Sequence, residues 1–157
     1  MTRLQARPRR ITALGVLVGL AMTVLGSYAV AHAAGGATFA DGAHLFASRG
    51  RADIQRAARD ANMRVLVLTT AHDFSSRVAW HRYVRSQSTD RGGITVGLLP
   101  ARRDVYVLVG PDAGLSPAQA SHGIARGRPS FGTGHFTAGV IRMIQYYQSI
   151  GAASPRG

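Results

Sequence analysis

The densest apolar patterning along the chain is Gly92 to Gly110, GGITVGLLPARRDVYVLVG. It predicts two strands, Ile94–Leu99 and Asp104–Val109, joined by a turn over Pro100–Arg103. β-branched and aromatic residues dominate both runs, and Pro100 presets a φ suited to a tight reversal. Val105, Val107 and Val109 share one face while Tyr106 and Leu108 share the other. Strands apolar on both faces are covered on both faces. The pattern therefore predicts a hairpin in the middle of a sheet, with helices packed on each side.

Flanking segments fit that plan. Ile54, Ala57, Ala58 and Ala61 recur at helical spacing, predicting a helix over Arg49–Ala61 with Ser48 as its cap and Asn62 closing it in a left-handed conformation. Arg64–Thr70, RVLVLTT, reads as a strand apolar on both faces. Ser75 or Ser76 caps a helix over Arg77–Arg85 whose Trp80, Tyr83 and Val84 form a buried stripe. Its connection from Arg64–Thr70 to Ile94–Leu99 implies a parallel pair with a right-handed crossover. Ser116-Pro117 starts a further helix ending near Arg126, and Gly127–Gly134 reads as a glycine-rich loop. A last helix, Phe136–Ile150, stops at Gly151, and Gly35–Asp41 reads as a short flexible tether. The expectation is one three-layer α/β domain: a mixed sheet, a central β-hairpin and helices on both faces.

Ahead of that domain, Arg3, Arg7, Arg9 and Arg10 precede an uncharged run from Ile11 to Ala34, the order of an export signal or a signal anchor. Ala31-His32-Ala33 offers a small-x-small cleavage site, whereas the length approaches the ~20 residues that span a bilayer. Either outcome places the working domain outside the cytoplasm, and anchors it to the membrane if the segment is kept. The organisation read from sequence is residues 1–34 as signal peptide or hydrophobic anchor helix, 35–150 as the domain and 151–157 as a disordered tail.

Composition changes this picture in two ways. All 19 basic residues are arginine and all 7 acidic ones aspartate, a net charge of +12 that attracts anionic lipid or wall polymer. Nucleic acid is not an expected partner for an exported domain. There is no cysteine, which excludes disulfides, thiolate catalysis and cysteine–zinc sites.

Four stretches in order resemble the TPM-domain family of small extracytoplasmic, membrane-associated α/β domains: FADGAHLF (Phe39–Phe46), RVLVLTT, the hairpin with Arg103 and Gly110, and GLSPAQA followed by FGTGHFTAGVIRMI. The resemblance implies a binding or accessory factor for an envelope or membrane protein. It also admits a weak metal-dependent phosphatase, and calcium as cofactor. Two departures thin a carboxylate site: Pro117 and His135 stand where the family often carries acids.

Asp41, which matches the family's opening acid, and His44, with Asp112 and Ser116 from a distant loop, are the candidates for a shared binding site, since α/β sheets bind ligands at strand ends. Asp41 and Asp112 would be the calcium ligands, although calcium usually takes six to eight oxygens and two aspartates make a poor cage. The competing reading makes Asp41 and Ser116 caps and Asp112 a solvated loop residue. The histidines form no zinc pattern, and no GxSxG elbow is present, so no catalytic residue is assigned. Arg77, Arg82, Arg85, Arg102 and Arg103, together with Arg126 and Arg128, are the candidate basic face for phosphate headgroups.

Overall fold

A computed structural model describes residues 35–152, so the signal or anchor expected over residues 1–34 and the expected tail from residue 153 lie outside the described residues. The elements are β1 (Gly36–Asp41), α1 (Ser48–Asp60), β2 (Arg64–Thr69), α2 (Arg77–Gln87), β3 (Ile94–Leu99), β4 (Asp104–Val109), α3 (Pro117–Gly132) and α4 (Phe136–Ala152). A 3-10 turn, Pro100–Arg102, joins β3 to β4. Arg103 closes that turn at φ 50°, in the left-handed region.

The sheet order is β1-β2-β3-β4, parallel except for the antiparallel last pair. This is the expected mixed α/β sheet, with the parallel β2–β3 pair as read from sequence. The hairpin is displaced from the expected centre: β3 is interior, whereas β4 is an edge strand. Burial follows, since all six β3 residues are buried and only Val107 is buried in β4.

Helices cover both faces. Val65, Val67, Ile94, Val96 and Leu98 pack with Ile54 and Ala58 of α1 and with Val140, Met143 and Ile144 of α4. On the opposite face Leu68 and Leu99 pack with Trp80 and Val84 of α2. Gly97 allows that contact, because a Cβ there would lie 2.8 Å from Val84 Cγ2 and 2.9 Å from Trp80 Cζ2. The strands β1, β2 and β3 step across the sheet in one direction, yet α1 and α2 lie on opposite faces. The two crossovers therefore have opposite hands, and one of them departs from the right-handed rule.

Three boundaries differ from the sequence reading. The supposed tether Gly35–Asp41 contains β1, whose small residues carry little strand propensity but pair with all six positions of β2. Phe39 secures it, packing its ring 5.9 Å from that of Phe46. The supposed loop Gly127–Gly134 is largely the last turns of α3, which continues through Pro129 to Gly132. Gly127 is a packing glycine here: a Cβ would meet Phe131 at 2.6 Å and the Gly139 carbonyl of α4 at 2.9 Å. Finally, α4 runs through Gly151 and Ala152, so these residues belong to the helix rather than to a tail.

Candidate functional site

The strand directions create two rims. Asp41, Thr69 and Leu99 end the parallel strands at one rim, which also holds Asp104 because β4 is antiparallel. At the other rim Gly110 donates its N–H to the Gly93 carbonyl and Asp112 donates to that of Arg91. Six strand residues separate the rims by about 17 Å. Asp112 and Ser116 therefore lie at the end of the sheet remote from Asp41 and His44. The expected four-residue site is not assembled, and Asp41 and Asp112 cannot share one calcium ion. Among the described residues there is no group of three or more acids, histidines or cysteines able to hold a metal.

Asp41 is committed within the fold. Its carboxylate accepts N–H bonds from Leu45 at 2.9 Å and Phe46 at 3.1 Å, the Thr69 hydroxyl at 2.6 Å and Arg51 Nη2 at 2.9 Å. Only 1% of the side chain is exposed. Burial alone would push its carboxyl pKa upward, but the bonds from Thr69, Leu45, Phe46 and Arg51 outweigh it and hold the pKa below the ordinary value. Thr69 extends the knot by accepting from Ala43 N–H at 3.1 Å. These bonds fix the loop leading into α1, whose cap position is Ala47, without a side-chain bond, instead of the expected Ser48. His44, exposed at φ 52°, bends the same loop and donates its N–H to the Asp41 carbonyl.

The other acids and caps behave as the plainer reading held. Asp112 forms an exposed pair with Arg91 at 3.0 Å. Ser116 makes a reciprocal capping box with Gln119 at the start of α3. Ser76 caps α2 by accepting from Ala79 N–H at 3.2 Å. The proposed basic face is divided: Arg77 pairs with Asp104 at 3.3 Å, Arg102 with Asp73 at 2.9 Å, and Arg85 donates to the Tyr106 hydroxyl at 3.1 Å. Arg82 is exposed on another flank of α2.

A groove of about 1200 Å³ lies elsewhere, along β4, walled by α2 residues Arg77 and His81 and by α3 residues including Ile124 and Arg128. His81 stacks on Tyr106, with ring centroids 3.9 Å apart and planes inclined by 14°. His81 Nε2 lies 3.4 Å from Asp104 Oδ2, but not in hydrogen-bond geometry, and is left buried without a hydrogen-bond partner. Arg77, His81 and Arg85 recur at i, i+4, i+8 along α2 and meet Asp104 and Tyr106, which alternate on one face of β4. Sequence reasoning missed His81, Asp104 and Tyr106, whereas Arg128 was read as part of the basic face and lines the groove. The combined four-residue and two-residue periods were the available signal, but they became a site only once β4 was known to lie under α2.

No protein-family model matches the chain, and no curated protein matches it. Solved structures do share its fold. The N-terminal domain of a Corynebacterium glutamicum protein matches with TM-score 0.59 at 13% identity, over 83% of this chain and 93% of that one. An N-terminal domain from P. gingivalis matches with TM-score 0.55 at 16% identity, over 74% and 82%. A protein of the psychrophilic bacterium Bizionia argentinensis matches with TM-score 0.51 at 15% identity, over 70% and 83%. The shared property is the α/β fold.

Proposed function

We propose that this chain is a membrane-proximal, extracytoplasmic domain of the TPM type that works by binding, as an accessory factor for an envelope or membrane protein. The observation that carries the reading is the contrast between its acids and its groove. The buried carboxylate of Asp41 has its oxygens engaged by four donors, while the groove along β4 stands open between two helices. The basic-then-apolar N-terminus supports an extracytoplasmic placement. Among the described residues no helix is long and apolar enough to cross a membrane.

The alternatives have less support. A metal-assisted phosphatase needs convergent acids, and Asp41 and Asp112 sit at opposite rims. Purely electrostatic attachment to anionic lipid or wall polymer is weakened because Arg77 and Arg102 are already paired with aspartates. Crosslinking of intact envelopes followed by isolation of the tagged chain tests the proposal. A discrete crosslinked envelope protein, retained at high salt, is the expected result. Recovery of the chain wholly in the cytosol without a crosslinked partner overturns it.

A further inference from the structure

We propose that the free edge of β4 takes up an extended acidic peptide as a fifth strand, antiparallel to β4, with the peptide's negative C-terminal end at the rim of Asp104. This inference rests on the binding reading above and specifies the chemistry of what is bound.

The backbone supplies the first part. In an antiparallel pair, residues alternate between those that exchange hydrogen bonds with the partner strand and those that turn their N–H and C=O away. The bond from Gly110 N–H to the Gly93 carbonyl, 2.9 Å long, sets the phase next to the Ile94–Val109 register. Asp104, Tyr106 and Leu108 therefore bond to β3, while Val105, Val107 and Val109 direct their backbone groups outward. No backbone bond from another element reaches these three valines among the described residues. Exposed edges are ordinarily protected by charge, proline, a bulge or a covering element. The opposite edge has such cover, since Ala37 N–H of β1 donates to Gln55 Oε1 of α1 and Gly35 N–H to Asn62 Oδ1. The outward positions of β4 carry no charge, proline or bulge, and although the Val107 side chain is buried, no backbone bond from another element covers them among the described residues.

Charge supplies the second part. β4 runs away from the Asp104 rim and α3 returns toward it, so Arg128, late in α3, lies at the same end of the groove as Arg103 and Arg77. Arg103 and Arg128 make no ion pair among the described residues. Toward the other rim the lining turns apolar, with Val109, Pro111, Leu115 and Ile124. An antiparallel added strand runs toward the arginine end, which places a terminal carboxylate or acidic side chain there. Strand addition of this kind draws affinity from the main chain and specificity from alternate side chains. A second copy is a poorer occupant, because it brings another +12 of charge to an arginine-lined groove.

The test uses the full chain in detergent micelles and an acetylated pentapeptide of alternating threonine and valine that ends in aspartate with a free carboxylate. Amide exchange read by NMR should slow at Val105, Val107 and Val109 by about tenfold or more on saturation, and stay unchanged at Tyr106 and Leu108. Arg103→Gly, which suits the left-handed turn, and Arg128→Ala should each weaken binding by about tenfold. Val105→Pro removes one outward donor at a place where an edge strand tolerates proline, and should abolish the slowing. Absence of binding overturns the proposal, as does binding that leaves the three amides unchanged. Equal binding of a lysine-ended, amidated peptide also overturns it, as does concentration-dependent slowing without peptide, which would mean pairing between copies. An envelope crosslink that survives in Val105→Pro would sink the groove while leaving the broader function standing. Peptide capture by a chain with no envelope partner would do the reverse.

Discussion

The two edges of the sheet solve the same physical problem in opposite ways. At β1 the neighbouring helix and loop turn inward: Gln55 and Asn62 accept from N–H groups at the start of the strand, and Asp41 closes its end with four accepted bonds. At β4 the helices stand apart and leave a groove, with His81 and Asp104 close but not hydrogen-bonded. The acid that most resembles a catalytic group serves structure, and the strand that resembled core is the accessible one. A carboxylate whose acceptor capacity is filled inside the protein has little left for a ligand. An unpaired strand edge keeps a full row of donors and acceptors.

The largest expected effect that would break this comparison is at Asp41. Asp41→Ala leaves two N–H groups, a hydroxyl and a guanidinium without their acceptor and should cost about 3 kcal/mol or more in urea unfolding. A cost below about 0.5 kcal/mol would show that the knot is not structural. Gly97→Ala comes next, forcing a methyl into Trp80 and Val84; a loss of roughly 1–3 kcal/mol is expected from overpacking, read as a lowered thermal midpoint. Ser116→Ala should cost about 1 kcal/mol through the lost cap of α3, with the sheet unaffected by NMR. The smallest effect belongs to the β4 side: Asp104→Asn should change stability by less than about 1 kcal/mol, because its partner Arg77 is 73% exposed.

Acid titration sharpens the contrast. The native carboxyl of Asp41 has a lowered pKa, so its unfolded form binds a proton more readily. Its contribution is complete above the unfolded value of ~3.9 and disappears as pH falls through the lower native value. The urea midpoint of the wild type should therefore fall more steeply below about pH 4 than that of Asp41→Asn. Parallel profiles would remove Asp41 as the cause.

Much of the fold was legible in local pattern. The two-sided apolar runs gave β2, β3 and β4, and the caps at Ser76 and Ser116 and the left-handed Asn62 stand where sequence put them. β1 was hidden because GATFAD has little propensity of its own and becomes a strand through its neighbour. The end of α3 was hidden because glycine signals a turn locally, whereas Gly127 is used for close approach to α4. The candidate site was legible only in part: Asp41 was singled out, but as a binding residue grouped with Asp112 and Ser116 of the far rim, whereas its carboxylate is engaged within the fold.

The sequence by itself determined which segments are strands and helices wherever side-chain period and cap chemistry act within a few residues. Tertiary structure alone decided which strand lies at the margin, which rim each acid occupies and which helices face each other across β4. Those depend on the order and direction of strands in space, and local periodicity carries no information about neighbours brought together from distant parts of the chain.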